Sequence, residues 1–189
     1  MSSSAATVRT ATPGDAAALA RLRYEFRASL GAPDEEEAAF LERCIAWMTP
    51  RLEPDARWRA WVAETSDGII GALWIGLIEK MPNPIAEPEE HGYLTSFYVR
   101  AEVRGTGVGT ALLDAAVGWC TERGVHAVML WPTQRSRALY ERYGFAPPAA
   151  LMELIVTGEG APRPITPSRD GPSVAEGRRD RASDRAPSY

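Results

Sequence analysis

A glycine-rich segment in the middle of the chain carries the residues best suited to bind an anion. It reads Arg104-Gly105-Thr106-Gly107-Val108-Gly109-Thr110, follows the apolar run Phe97-Tyr98-Val99 and opens a stretch of helical periodicity. A helix N-terminus presents unpaired backbone N–H groups and the positive end of the helix dipole, and glycines let a ligand approach the backbone closely. Arg104 can add a charge-assisted hydrogen bond. The segment therefore predicts a diphosphate-binding turn between a strand and a helix.

Two common nucleotide sites that use such a turn do not fit these residues. A P-loop requires Gly-Lys-Ser/Thr after the glycines, and this sequence has none there. A Rossmann turn would place its third glycine at Thr110 and an acidic residue at the end of the next strand, which here ends in Leu130-Trp131. The segment therefore matches neither the P-loop nor the Rossmann turn, and a different type of diphosphate site must be considered.

The pattern resembles motif A of the GCN5-related N-acetyltransferase family, Gln/Arg-x-x-Gly-x-Gly/Ala, which Arg104, Gly107 and Gly109 satisfy. A later stretch, Ala138-Leu139-Tyr140-Glu141-Arg142-Tyr143-Gly144-Phe145, looks like the same family's motif B, which ends in a helix and a Gly-Phe pair. The resemblance covers Thr7 to about Val156. It implies an α/β fold with a mixed, mostly antiparallel sheet flanked by helices, splayed central strands, acetyl-CoA as cosubstrate and no metal.

The same resemblance implies roles for residues in both motifs. Phe97, Tyr98 and Val99 should bind the pantetheine arm along the fourth strand, with the Val99 amide holding the thioester oxygen. The residues from Arg104 to Thr110 should cradle the pyrophosphate. Tyr140 matches the tyrosine that donates a proton to the departing thiolate, although an aromatic residue on a helix is also commonly packed in a core.

A second group of residues is expected on the acceptor side. An amine attacks a thioester only when it is unprotonated, so a base or water chain must remove a proton, and Glu90, His91 and Tyr93 are the candidates. Tyr24 and Phe26, with Tyr93, fall where the family often builds its acceptor pocket. A histidine in a proline-rich loop is also commonly just exposed, and Phe26 also belongs to an apolar helix stripe.

Hydrophobic periodicity and turn residues predict the elements that would hold these groups. Strands are predicted at Val8–Thr10, Trp58–Glu64, Ile69–Glu79, Gly92–Arg100, Val125–Trp131 and Leu151–Val156. Helices are predicted from Pro13 to Phe26, from Asp34 to Met48, from Val108 to Gly124 and from Gln134 to Tyr143. The stretch from Lys80 to His91 contains three prolines and is predicted as a loop.

Length and composition limit the number of domains and the kinds of partner that we expect for this protein. The chain has 189 residues, enough for one catalytic domain, which we place at residues 1–157, followed by a disordered polar tail at 158–189. The net charge of -4 offers no basic surface for nucleic acid. No apolar run reaches the roughly 20 residues of a membrane helix, and the N-terminus does not resemble a signal peptide, so we expect a cytoplasmic protein. Cys44 and Cys120 are expected to be reduced thiols.

The sequence thus predicts an enzyme that transfers an acetyl group from acetyl-CoA to an amine of an unknown small molecule or peptide. The alternative is a non-catalytic acyl-CoA-binding sensor or regulatory module. The resemblance also allows a homodimer, because members of the family often pair. Acceptor specificity remains open, since it resides in loops that the two motifs do not describe.

Overall fold

The computed structural model of the protein describes residues 5–148. In that range the strands are β1 (Thr7–Thr10), β2 (Trp58–Thr65), β3 (Gly68–Glu79), β4 (Glu90–Val99) and β5 (Ala127–Met129). The α-helices are α1 (Ala16–Ala28), α2 (Glu37–Met48), α3 (Val108–Arg123) and α4 (Gln134–Tyr143). Short 3-10 turns lie at Pro13–Asp15, Thr49–Leu52 and Ala101–Val103.

The five strands form one sheet in the order β1-β2-β3-β4-β5. The first four pair antiparallel, and β5 joins β4 in parallel. Most of β3 is buried, because helices cover both faces of the sheet, and this explains its nearly unbroken run of apolar residues. The predicted mixed, mostly antiparallel sheet is therefore confirmed.

Helices α1 and α2 pack on one face of the sheet, where Leu19, Leu22, Met48, Val62 and Trp74 belong to one buried cluster. Helix α3 covers the opposite face. There the Trp119 ring lies 5.6 Å from the Trp61 ring, and the Leu112 side chain would lie 3.3 Å from a Cβ placed on Gly71. The sheet therefore separates α1 and α2 from α3.

Strand β4 changes its pairing on both sides along its length. Its register with β3 shifts between Ala72 and Trp74, and opposite that shift Ser96 has a φ of 49°. This irregularity is a β-bulge, which bends a strand and leaves backbone groups unpaired. On the other side β5 pairs only with the first part of β4, from His91 to Tyr93. Among the described residues, β4 beyond Tyr93 has no partner on that side, which is the predicted splay of the central strands.

Several boundaries differ from the prediction: α1 continues to Ala28, and α2 begins at Glu37 and not at Asp34. Strand β4 begins at Glu90, so the loop ends at Glu89 and not at His91, because its last proline is Pro88 and nothing after it interrupts pairing with β3. Strand β5 is only three residues long, since its pairing with β4 stops at Met129. The predicted strand Leu151–Val156 and the tail at 158–189 lie outside the described residues.

The chain divides into two compact units after Leu130, and α4 belongs to the second. Thr133 caps the start of α4: its Oγ1 accepts a hydrogen bond from the Ser136 amide at 3.2 Å. Gly144 ends the helix in a left-handed conformation with a φ of 109°. Within residues 5–148, no helix has both the length and the apolar character needed to cross a bilayer.

Candidate active site

The turn before α3 has the geometry of an open anion cradle. Gly107 is the N-cap of α3 with a φ of 92°, and Gly105 has a φ of 79°, a region that favours glycine. A Cβ added at either position would meet no atom within 4 Å, so the space beside both glycines is open. Among the described residues no side chain caps this helix. The first amides of α3, starting at Val108, therefore face a space that a diphosphate can enter.

Two side chains fasten this turn to its surroundings. The Arg104 Nε donates a hydrogen bond to the Val99 carbonyl oxygen at 2.9 Å, and its guanidinium carbon lies 5.5 Å from the centre of the Tyr98 ring. The Thr106 Oγ1 donates to the Val103 carbonyl oxygen at 2.7 Å. Arg104 therefore joins the end of β4 to the glycine turn. The predicted contact of Arg104 with a phosphate stays a prediction.

The backbone of Val99 turns away from β3. Arg100 donates its amide to the Ile70 carbonyl oxygen at 3.0 Å, and Val99 is paired opposite Gly71. Neighbouring residues of an antiparallel strand direct their backbone groups to opposite edges, so the Val99 amide points to the edge that β5 has left. An amide at this edge is placed to bind a ligand as a further strand would. The pantetheine and oxyanion roles of Phe97, Tyr98 and Val99 remain predictions.

A pocket lies between α1 and the sheet, next to the bulge of β4. Its lining residues are Leu19, Leu22, Arg23 and Phe26 of α1 and Ala72, Trp74, Ser96 and Tyr98 of the sheet. Its empty volume, which includes space open to solvent, is about 220 Å³. The pocket is therefore partly open to solvent.

The three residues predicted to bind the acceptor do not all reach this pocket. Phe26 lines it and lies 5.6 Å from the Tyr98 ring. Tyr24 instead packs against Phe40 of α2 at 5.7 Å, and Tyr93 packs against Trp58 at 6.5 Å. The structure therefore brings Phe26 to the pocket and leaves Tyr24 and Tyr93 outside its lining.

Glu90 and His91 lie at the opposite end of β4 from Val99. Eight residues separate His91 from Val99, or about 26 Å at roughly 3.3 Å per residue of strand. Arg123 donates two hydrogen bonds to the Glu90 carboxylate, at 2.6 and 3.0 Å, and these lower the pKa of Glu90. Burial, with a smaller contribution from His126, lowers the pKa of His91. Both bases remain predictions, and either would reach a group at Val99 only through several waters.

Tyr140 is buried in the second unit, and burial raises the pKa of its phenol. Its ring lies 5.5 Å from the Phe145 ring, and its carbonyl oxygen accepts a hydrogen bond from the Phe145 amide at 2.9 Å. The Gly-Phe pair of motif B thus packs against the tyrosine and fixes the end of α4. A phenol with a raised pKa is protonated at neutral pH, which a proton donor requires.

Arg23 is the charged residue of the pocket lining, and the sequence motifs do not mark it as a site residue. Its one detectable signal is its place within the apolar stripe of α1, four residues after Leu19 and three before Phe26. An arginine at such a position on an amphipathic helix is usually solvated, so its residue type alone does not predict a place in a binding pocket. Within residues 5–148, no group of three or more His, Cys, Asp or Glu side chains is placed to hold a metal ion.

Sequence comparison identifies relatives of this fold. Residues 19–145 match the sequence model of the Acetyltransferase (GNAT) family. An aminoglycoside N(6')-acetyltransferase type 1 from Stenotrophomonas maltophilia is 34% identical over 125 residues, which cover 66% of this chain and 73% of that protein.

Solved structures show the same architecture. A GCN5-related N-acetyltransferase from Ralstonia eutropha superposes with a TM-score of 0.67 at 26% identity, over 81% of this chain and 100% of that one. A protein described as a predicted acetyltransferase from Clostridium acetobutylicum, solved with acetyl-CoA, has a TM-score of 0.68 at 24% identity, over 80% of this chain and 96% of that one.

Proposed function

Because this chain belongs to the acetyltransferase (GNAT) family, we propose that it is an N-acetyltransferase that uses acetyl-CoA to acetylate an amine of a small molecule or peptide. The observation that carries the proposal is the open glycine turn at the start of α3, next to an unpaired edge of β4. A small-molecule acceptor is supported by the Stenotrophomonas maltophilia relative, which is an aminoglycoside acetyltransferase. Cytoplasmic location and pairing as a homodimer remain part of the proposal.

The donor is proposed to bind along β4 and at the turn that follows it. The backbone amides of Gly105, Thr106 and Gly107, together with the first amides of α3, hold the pyrophosphate. Val108, Gly109 and Thr110 form the first turn of α3 and so orient its amides. Gly105 and Gly107 leave room for the pyrophosphate, because the space that a Cβ would occupy is open at both positions. The unpaired edge of β4 near Val99 binds the pantetheine amides. Bound there, acetyl-CoA supplies the activated acetyl group.

The chemistry requires a carbon–nitrogen bond to form as the carbon–sulfur bond of the thioester breaks. In the proposed reaction, the Val99 amide holds the oxygen on which negative charge develops. Tyr140 gives its proton to the departing sulfur, and its raised pKa keeps that proton available. Of the predicted bases, His91 fits the proton-accepting role better than Glu90, because a lowered pKa leaves the imidazole neutral, whereas Glu90 is already paired with Arg123.

Two measurements test the proposal. Calorimetry should show that CoA and acetyl-CoA bind the purified protein. A thiol-reactive dye should then report CoA release that depends on the amine, across a panel of amino acids, amino sugars, aminoglycosides and peptides. Binding without acceptor-dependent release would favour the alternative, a non-catalytic acyl-CoA sensor. Absence of binding to CoA and to its thioesters would contradict both.

A further inference from the structure

Arg23 is a partly buried guanidinium with no anionic partner. Within residues 5–148 it forms neither an ion pair nor a hydrogen bond, and its recorded contact is with the Phe26 ring, 5.7 Å from the guanidinium carbon. Among the other partly buried arginines, Arg9 and Arg100 each bind a carboxylate through at least two hydrogen bonds. Arg51 and Arg59 instead donate hydrogen bonds to backbone carbonyl oxygens. Burial, with a smaller contribution from Arg27, also lowers the pKa of Arg23, as expected for a cation that is partly removed from water.

The position of Arg23 separates it from the proposed donor site. Arg23 lies on α1, whereas the glycine turn leads into α3 on the other face of the sheet. The pocket wall opposite Arg23 includes Ser96, which is the bulged residue of β4. This is the part of β4 that β5 has left. A group held by Arg23 would therefore approach β4 from the face opposite α3.

We propose that Arg23 determines acceptor specificity by binding a carboxylate of the amine substrate, an inference that rests on the proposed function. An unpaired guanidinium in a concave wall is suited to a carboxylate, which it can bind through two parallel hydrogen bonds. Apart from Ser96 and Tyr98, the remaining lining residues are apolar and include Leu22, Phe26 and Trp74. The acceptor class is therefore a small amine with one carboxylate and an apolar side chain, such as an apolar amino acid.

The same residue argues against a polycationic acceptor. Aminoglycosides carry several ammonium groups at neutral pH, and a guanidinium without a counter-ion in the pocket would repel them. We therefore expect this chain to differ in acceptor from its aminoglycoside-modifying relative.

Matched acceptors test the proposal in the full-length protein. L-Leucine and L-phenylalanine should be acetylated with a higher kcat/KM than their carboxamides, by about ten- to hundredfold, the range expected for hydrogen bonds to a charged group. The amine of a carboxamide loses its proton more easily, so its basicity cannot produce this preference. Equal use of acids and carboxamides by the wild type would overturn the proposal.

Variants of the helix assign the preference to Arg23. Arg23→Gln should raise KM for the acid about ten- to hundredfold and leave the carboxamide unchanged, while Arg23→Lys should keep part of the preference. Arg27→Gln, an exposed arginine one turn later, is the matched control and should behave as the wild type. The melting temperature of Arg23→Gln should not fall, since Arg23 makes no ion pair among the described residues. An equal loss for acid and carboxamide would overturn the proposal.

A binding measurement separates this inference from the proposed function. Calorimetry with N-acetyl-L-leucine and with its carboxamide needs no turnover. Selective binding of the acid, lost in Arg23→Gln, supports the carboxylate site even if no acceptor releases CoA, in which case the proposed function alone fails. Absence of selectivity between the two ligands overturns the inference even if acetyl transfer is observed.

Discussion

Glu25 of α1 accepts two hydrogen bonds from Arg100, at 3.1 and 2.8 Å, and so joins the helix that carries Arg23 to the residue that follows β4. The two walls of the pocket are held together by this pair. Both side chains are about one-third exposed, so the pair contributes no more than about 1 kcal/mol to the free energy of unfolding. We expect its main effect to be on the distance between the walls.

Loss of this pair should weaken acceptor binding more than donor binding. Glu25→Gln should raise the acceptor KM by about two- to fivefold, as expected for up to about 1 kcal/mol, and leave the Kd for CoA unchanged. Steady-state kinetics with calorimetry would measure both constants. Glu42→Gln, an exposed carboxylate on α2, is the control. A parallel loss of CoA affinity would show that the pair supports the whole site.

A negative charge in the glycine turn should prevent donor binding. Gly107→Glu should weaken CoA binding by about two orders of magnitude, because the carboxylate would lie near the pyrophosphate. The left-handed φ of 92° adds some backbone strain, so a melting curve must accompany the calorimetry. Gly118→Glu places the same charge on an exposed position of α3 and should bind CoA normally. Wild-type affinity in Gly107→Glu would refute the cradle.

Removal of the Tyr140 hydroxyl should slow catalysis without affecting donor affinity. Tyr140→Phe should lower kcat by about 10²–10⁴-fold, the usual contribution of a general acid. Tyr143→Phe, on the same helix, is the matched control. Burial raises the pKa of Tyr140, so its proton should be retained in the folded protein above pH 10, where an unfolded tyrosine ionises. The fold should therefore lose stability as pH rises past 10 in the wild type, and less in Tyr140→Phe. Unchanged kcat would remove the proton-donor role.

Two of the three candidate bases, Glu90 and His91, should differ in their pH dependence. Arg123 lowers the pKa of Glu90, so Glu90 is ionised down to below pH 4.5, and Glu90→Gln should keep kcat/KM within about threefold at neutral pH. If His91 is the base, kcat/KM should fall as pH drops below 6.5, where its lowered pKa lies, and His91→Gln should lose this limb. If the pH profile of kcat/KM in His91→Gln matched that of the wild type, His91 would not be the base, and the amine would lose its proton to solvent.

The composition of residues 158–189 predicts that they are dispensable. They are rich in glycine, proline, serine, arginine and aspartate and contain few large apolar residues. Their deletion should leave the melting temperature and the Kd for CoA unchanged, because few apolar groups are available to stabilise a packed state. A lower melting temperature in the truncated protein would contradict this prediction.

Residues with a local signal could be placed from the sequence alone. The bounds of α4 were predicted at Gln134 and Tyr143, and α3 begins at Val108 and ends before Gly124, since left-handed glycines flank it. Strand β5 was predicted too long, because an apolar run indicates burial but not where the neighbouring strand departs.

The parts of the site that depend on tertiary packing could not be predicted. The bulge at Ser96 has no local signal, since a serine with a positive φ reflects the mismatch between β3 and β4. Arg23 resembles any solvated helix residue until α1 docks on the sheet.

In the proposed complex, acetyl-CoA lies beside the part of β4 that β5 has left, in the place of a further strand. A ligand that binds only the folded chain adds about 2.7 kcal/mol to its stability at a hundredfold excess over Kd. The lifetime of this protein against proteases would then follow the supply of activated acetyl groups in the cell. If acetyl-CoA became scarce during carbon starvation, less of the protein would be stabilised by it, and proteases would degrade more of the protein.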